Sequence, residues 1–299
     1  MIYNFTETQK NKVIEHWNQD FYSKILRDIE TYSAKWKLSG FKFVEYYSIN
    51  AIFFCKSEAY GDCVLKICNN QDYEFIAECN MLREYNGGRF IKIYECDASN
   101  KIMLIERIIP GKMLRDEMSL EKRLSVFSGL FNGLHIVPEN PEIYTPYIEQ
   151  ICDVEERMRE HSDFNEFYVH VVRAKNLCLE IEAVYDKKVL LHGDLHYDNI
   201  LSGKNGKYKI IDPQGYTGAF VFDVGRYILN EEYGAGVLEK RLETVIKVAD
   251  YFEKSLNIPK RIINQCFYID VVLVNSESAV SGVNADLDDI KFAESVMNT

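Results

Sequence analysis

No stretch of this 299-residue chain approaches the roughly 18 consecutive apolar residues that a transmembrane helix needs. A membrane span is therefore not expected. Positive charge is scarce as well: 35 lysines and arginines face 46 aspartates and glutamates, a formal net charge of −11. That balance argues against an electrostatic grip on nucleic acid or anionic lipid and is compatible with a cationic small ligand. Residues 1–5 lack a basic region followed by an apolar core, so no secretory signal is expected either. The eight cysteines, Cys55, Cys63, Cys68, Cys79, Cys96, Cys152, Cys178 and Cys266, form no dense short-spaced framework. Cys63 and Cys68 bracket a predicted strand, and no second close pair completes a zinc site, which leaves buried free thiols of a reducing compartment. A soluble, cytoplasmic protein is the expectation. Internal repeats and low-complexity segments are also missing. What the chain does have is 47% apolar residues, enough for a substantial core in one large domain or two modest ones.

The hydrophobic period changes along the chain. Over residues 8–36, Val13, Trp17, Phe21, Ile25 and Ile29 recur every four positions, which predicts helix. Residues 41–47, 51–56 and 62–68 are rich in aromatic and β-branched side chains and read as strands. A helix over 71–85 follows, entered through Asn69 and Asn70 and stopped by Asn86-Gly87-Gly88, then strands over 91–96 and 102–107. Pro110-Gly111 ends this pattern. Beyond it the spacing is helical, with Leu124, Phe127, Leu130 and Leu134 on one helix and others around 154–158, 167–179, 222–229, 236–253, 259–274 and 287–297. Residues 138–146 interrupt it. The expected class is α+β, with an N-terminal helix and β-rich lobe over residues 1–106 and a larger, mostly helical lobe over 107–299.

Chemistry concentrates in His192-Gly193-Asp194-Leu195-His196-Tyr197-Asp198-Asn199, which follows the apolar Val189-Leu190-Leu191. Thirteen residues beyond Asn199, Asp212 leaves a second apolar segment, Ile210-Ile211. Asp194 and Asn199 stand five apart, as in the catalytic loop of phosphoryl-transfer kinases. In such a site the first Asp accepts the proton of the attacking hydroxyl, while the Asn and the second Asp hold the magnesium ions that bridge the nucleotide phosphates. Magnesium takes one or two protein carboxylates plus phosphate oxygens and water, so one amide and one carboxylate meet its demand. Asp, Asn and His also gather in turns for local hydrogen bonding alone. As a runner-up, the alternating His192, Asp194, His196 and Asp198 could be the zinc or iron ligands of a hydrolase. Neither of those readings accounts for the spacing to Asp212.

Three strands, a helix and two strands is the order of a kinase amino-terminal lobe, which points to a bilobal protein-kinase-like fold. Val64-Leu65-Lys66-Ile67 resembles the V-A-I-K segment whose lysine contacts the nucleotide α and β phosphates. On the next helix Glu74 and Glu78 lie one turn apart, and either can pair with Lys66. Glu78 is preferred only for its spacing to Leu82-Arg83, which belongs to a family resemblance that later motifs complete. Alone, Lys66 reads as an edge-strand lysine and Glu78 as a solvated helix face. Their order with the distant loop argues otherwise. By analogy with kinases, residues 102–108 lead into the hinge, with Ile105 as gatekeeper and adenine held by the Glu106 carbonyl and the Ile108 amide. The active site is then expected in the cleft between lobes. The nucleotide loop, Tyr46-Tyr47-Ser48-Ile49-Asn50-Ala51, lacks G-x-G-x-x-G, and Ser48 and Asn50 are candidates to replace the glycine backbone contacts.

Two departures from protein kinases narrow the acceptor. Gly193 replaces the arginine of H-R-D, and Pro213-Gln214-Gly215 follows Asp212 in place of Phe-Gly. Asp223 comes only eleven positions after Asp212, leaving no room for an activation segment that docks peptides. A small-molecule acceptor is expected. His192-Gly193-Asp194-Leu195-His196 with Asn199, then Ile211-Asp212-Pro213-Gln214-Gly215-Tyr216-Thr217-Gly218 and Phe222-Asp223-Val224, resembles the aminoglycoside phosphotransferase superfamily. The run ending in Arg226 to Asn230, residues 104–108 with Pro110-Gly111, and Glu78 with Leu82-Arg83 before Gly87-Gly88 are most similar to its streptomycin and hydroxyurea kinase branch. The resemblance spans residues 40–299.

That resemblance implies a kinase-like enzyme that uses ATP or GTP with Mg2+ to phosphorylate a hydroxyl of an antibiotic. By matched position Asp194 would be the base, Asn199 and Asp212 the magnesium ligands and Lys66 the phosphate contact, with His192 and Asp223 bracing the loop. Tyr197 and Gln214 depart from the small or imidazole side chain and the lysine expected of that branch, which bears on the acceptor more than on the reaction. A guanidinium-bearing acceptor needs carboxylates; Glu231, Glu232 and Glu277 are candidates, with Asp286, Asp288 and Asp289 near them in sequence or toward the end. A solvated charged face explains each equally well. The alternatives are a metabolic kinase for a sugar, amino alcohol, nucleoside or hydroxyurea, and a nucleotide-binding pseudokinase. No sequence feature sets an oligomeric state.

Overall fold

The structure, a computed structural model, describes residues 2–69, 71–159 and 162–298. Asn70, one of the two residues expected to lead into a helix, lies outside the described residues, as does Met1. Two compact units divide the chain: residues up to Gly111 with Gly203–Asn205, and Lys112–Ser202 with the remainder from Gly206.

In the first unit, α1 (Glu7–His16) and α2 (Gln19–Lys35) stand where one helix was expected over 8–36. The cause is local. Asn18 sits between them in a non-helical conformation and accepts the Phe21 amide hydrogen on its side-chain oxygen at 2.8 Å, which starts a second helix. Then come β1 (Leu38–Phe43), β2 (Ala51–Ser57), β3 (Gly61–Ile67), α3 (Asp72–Tyr85), β4 (Ile93–Asp97) and β5 (Ile102–Glu106). The five strands form one antiparallel sheet in the order β1-β2-β3-β5-β4.

Register assigns the faces. Leu65 lies opposite Phe53 and Leu104, and Lys66 opposite Ile52 and Met103. Because side chains alternate along a strand, Phe53, Leu65, Ile67 and Leu104 share one face and pack in a core with Phe21, Ile25, Ile29 and Tyr32 of α2. Burying each such side chain contributes about 1.5–3 kcal/mol, so the apolar stripe of α2 anchors that face. Val64, Lys66, Met103 and Ile105 share the other.

The second unit holds α4 (Leu120–Phe131), β6 (Thr145–Pro146), α5 (Tyr147–Arg159), α6 (Asn165–Val184), β7 (Val189–Leu191), β8 (Ile200–Ser202), β9 (Tyr208–Ile210), β10 (Tyr216–Gly218), α7 (Gly225–Tyr233), α8 (Leu238–Leu256), α9 (Lys260–Val280) and α10 (Leu287–Met297). Residues 138–146, expected only as a break, contribute β6, which pairs in parallel with β10; β10 pairs antiparallel with β7. β8 and β9 form a hairpin. α9 is buried on nearly every side from Ile262 to Leu273, which marks it as the central helix of this unit. Among the described residues no helix is long and apolar enough to cross a membrane.

Candidate active site

β7 consists of three buried apolar residues, and where it ends the chain turns through Gly193 at φ +79°. A side chain there would collide with the Tyr216 ring, so the position suits glycine on two grounds. The turn is held from outside. Asp223, 2% exposed, accepts the amide hydrogens of His192 and Gly193, each at 2.8 Å, and lies 2.9 Å from His135 Nε2.

His192 does two jobs with one ring. Its Nε2–H donates to the Ile211 carbonyl at 2.8 Å, and its Nδ1 accepts the Asp194 amide hydrogen at 3.1 Å. This pattern defines a neutral imidazole, and burial, the largest influence, pushes its pKa down. Asn199 supplies the matching bonds. Its carbonyl accepts the Ile211 amide hydrogen at 2.9 Å, and its side-chain NH2 donates to the Asp194 carbonyl at 2.8 Å and reaches Asp194 Oδ2 at 3.3 Å. The residue before Asp212 is thus gripped at both its N–H and its C=O. Gln214, two residues after Asp212, donates its amide hydrogen to the His192 carbonyl at 2.8 Å. Asp212 itself is exposed, at φ +54°, a left-handed conformation that the sequence pattern did not disclose.

Asp194, Asn199 and the Asp212 turn are therefore one hydrogen-bonded assembly within the second unit. With the Asn199 NH2 turned toward Asp194, its Oδ1 is directed elsewhere, and Asp212 adds a carboxylate. Such hard oxygens fit a magnesium ion that completes its shell with phosphate and water. Among the described residues no group of three or more His, Cys, Asp or Glu side chains is arranged to hold a metal alone. The Asp194 side chain is 27% exposed. Burial works to raise its carboxyl, but the His196 hydrogen bond and the charges of Arg226, His196 and His192 leave it below the usual range. It is ionised at neutral pH and able to accept a proton.

In the first unit, Lys66 Nζ lies 2.7 and 2.9 Å from the two Glu78 oxygens, with both side chains nearly buried. Glu74 instead accepts the Gln71 amide hydrogen at 3.0 Å and closes the start of α3. Ile105 lies on the same sheet face as Lys66. The Glu106 carboxylate accepts the Lys92 amide hydrogen at 3.0 Å, and Ile108 follows the end of β5. The loop before β2 is tied down by α1: the Ser48 carbonyl accepts from His16 Nε2 at 2.8 Å and the Ile49 carbonyl from Trp17 Nε1 at 3.0 Å. Asn50 accepts the Asn69 amide hydrogen at 3.0 Å.

The acceptor candidates lie in ion pairs of the chain's own. Glu231 accepts from Arg123 Nε at 2.8 Å and from the Tyr227 hydroxyl at 2.9 Å. Glu232 pairs with Arg241, and Glu277 with Arg157. Glu231 and Glu232 are 3% and 1% exposed. Asp289 also faces Arg241, at 2.5 Å, while Asp286 caps α10 and Asp288 is exposed. Tyr197 donates its hydroxyl hydrogen to the Asn230 carbonyl at 2.9 Å. Sequence reasoning missed His135, Asp270 and the contact of Arg226 with Asp194. The signal for Asp270 was present: a lone acid within the apolar run of α9.

Comparisons with known proteins follow the same lines. The sequence profile of the family described as aminoglycoside/hydroxyurea antibiotic resistance kinase matches residues 57–281. Streptomycin 6-kinase of Streptomyces griseus is 26% identical over 149 residues, 48% of this chain and 47% of that protein, so the match spans about half of the curated relative. A choline kinase of Streptococcus pneumoniae superposes with a TM-score of 0.61 at 14% identity, covering 93% of this chain and 99% of that one. An ethanolamine kinase of Plasmodium vivax gives 0.62 at 14%, covering 100% and 95%. An aminoglycoside phosphotransferase mutant in ternary complex with AMP-PNP and hygromycin B gives 0.60 at 15%, covering 91% and 96%. At these identities the superpositions show a kinase-like fold.

Proposed function

The chain belongs to the aminoglycoside/hydroxyurea antibiotic resistance kinase family, and on that premise we propose that it is a cytoplasmic O-phosphotransferase that moves the γ-phosphate of ATP or GTP to a hydroxyl of a streptomycin-like aminoglycoside. The observation that carries this reading is the grip of His192 and Asn199 on Ile211, which ties Asp194 and the Asp212 turn into one assembly. In the proposed step Asp194 accepts the acceptor's hydroxyl proton as its oxygen bonds to the γ-phosphorus. The bond from that phosphorus to the β,γ-bridging oxygen breaks, and the nucleoside diphosphate leaves.

Lys66, set by Glu78, is assigned to the α and β phosphates, and the Glu106 carbonyl, Ile108 amide and Ile105 side chain to adenine. The Ser48 and Asn50 backbone is assigned to the phosphate loop. Asn199 and Asp212 would hold Mg2+, which would neutralise phosphate charge during transfer. Asp223 and His192 fix the loop. The acceptor is a cationic small molecule, in keeping with the net charge of −11.

The test is purified protein with ATP or GTP and Mg2+ against streptomycin, hygromycin B, hydroxyurea, choline and ethanolamine, with products identified by mass. A phosphorylated aminoglycoside is expected. Phosphorylation of choline or ethanolamine alone would move the reading to an amino-alcohol kinase, and nucleotide binding without turnover on any acceptor would move it to a pseudokinase. Asp194→Asn should lower turnover by about 10²–10⁴-fold, the range of a positioned general base.

A further inference from the structure

α7 starts at Gly225, directly after the short 3-10 turn Phe220–Val224 that carries Asp223. The glycine is required by packing: a side chain there would run into the Asp270 carboxylate and the Cys266 carbonyl of α9. The first turn of α7 therefore lies against the middle of α9. That contact places Arg226 Nε 3.0 Å from Asp194 Oδ1 and 3.8 Å from Asp270 Oδ1. Asp270 is 2% exposed, and among the described residues neither its second oxygen nor Arg226 Nε makes a hydrogen bond, so Arg226 meets Asp194 as an ion pair. A buried carboxylate of this kind is costly unless a cation sits near it, and Arg226 is that cation. Burial pushes the Asp270 carboxyl up to about 7, with Arg226 acting in the opposite direction.

The two oxygens of Asp194 are held differently. Oδ2 faces Asn199 Nδ2 at 3.3 Å and His196 Nε2 at 3.4 Å, while Oδ1 faces Arg226. We propose that Arg226 is a positioning residue for Asp194, holding its carboxylate in the orientation that meets the acceptor hydroxyl, and that Asp270 in turn sets Arg226. This rests on the reading of Asp194 as the base. A full unopposed guanidinium beside a base would weaken it; the Asp270 carboxylate behind Arg226 offsets part of that charge. Asp223 and Arg226, three residues apart, thus fix the two ends of the same turn.

Four variants test this: Arg226→Gln, Arg226→Lys, Arg226→Gln with Asp270→Asn, and Arg226→Gln in the Asp194→Asn background. Arg226→Gln should lower kcat by about 10²-fold, as a displacement near 1 Å does, with the nucleotide KM unchanged and part of the rate restored in Arg226→Lys. Arg226→Gln alone strands Asp270, so its melting temperature should fall; adding Asp270→Asn should restore folding and leave the enzyme slow. With no carboxylate to orient, Arg226→Gln should cost nothing further beyond Asp194→Asn, a non-additivity that a general structural defect would not give. Full activity of a folded Arg226→Gln enzyme, beside an inactive Asp194→Asn, would overturn the proposal and leave the base assignment standing. A loss confined to the acceptor KM would overturn it in favour of direct substrate contact. Full activity of Asp194→Asn would instead sink the base assignment.

Discussion

His192 and Ile211 are joined by a 2.8 Å hydrogen bond from the imidazole Nε2–H to the main-chain carbonyl. It spans two segments that the sequence separates by nineteen positions and leaves Asp212 one residue beyond the clamp. His192→Leu removes this donor and the Nδ1 acceptor of the Asp194 amide. On the proposed role of Asn199 and Asp212 as Mg2+ ligands, His192 would support that site, and such partners typically change metal affinity or activity by about 10–100-fold. We expect the Mg2+ dependence of turnover to shift to higher concentration by that order, read by metal titration of the rate.

Lys66 and Glu78 are 2% and 4% exposed. Removing one partner leaves the other charge buried, so Lys66→Met or Glu78→Leu alone should destabilise by about 3–5 kcal/mol. The double variant Lys66→Met with Glu78→Leu should recover most of the loss in urea unfolding. It should not recover nucleotide use. A double variant with unaltered nucleotide KM and kcat would remove Lys66 from the phosphate role.

Asp97 accepts from Lys35 Nζ at 2.8 Å, and that bond, followed by the one from Tyr32, lowers its carboxyl from 3.8 to about 2. A carboxyl lowered in the folded state stabilises the protein above its unfolded pKa, and the contribution disappears as pH falls toward the folded value. Between pH 4 and 2, unfolding midpoints of the wild type should therefore drop more steeply than those of Asp97→Asn. Parallel curves in that window would show that the Lys35 and Tyr32 contacts do not hold in solution.

Cys79 Sγ and Cys96 Sγ lie 3.0 Å apart. The hydrogen bond from Cys79 lowers the Cys96 thiol, helped by Arg83, while the same bond and burial raise Cys79. Cys96 should accordingly be the first of the eight cysteines to react with iodoacetamide near neutral pH, because the thiolate is the nucleophile. Cys79→Ala should slow that reaction. Peptide mapping after timed quenching distinguishes the sites.

Local information carried much of the fold. Segments rich in aromatic and β-branched side chains placed the first sheet's strands to within a few residues, because such side chains suit a packed, pleated surface. Helical spacing left Glu74 and Glu78 both open as partners of Lys66; the choice of Glu78 rested on the family resemblance of its spacing to Leu82-Arg83, and the structure pairs Lys66 with Glu78. The helix break at Asn18 was also local, a capping side chain overlooked inside a continuous apolar period. β1 starts at Leu38, three residues before the strand expected at 41, because its partner on β2 extends to Ser57.

What the amino-acid order determined by itself, then, was the strand and helix order of the first sheet's unit from β1 to β5 and the family spacing of Asp194, Asn199 and Asp212. Tertiary structure alone decided the partners of Glu231, Glu232, Arg226 and Asp270. Glu231 and Glu232 looked free in sequence and lie in the unit's interior against Arg123 and Arg241. Arg226 and Asp270, 44 positions apart, meet only because Gly225 lets α7 touch α9. The physical reason is range: hydrophobic period and capping act within one or two turns, whereas the pairing of buried charges depends on which distant helices the core brings into contact.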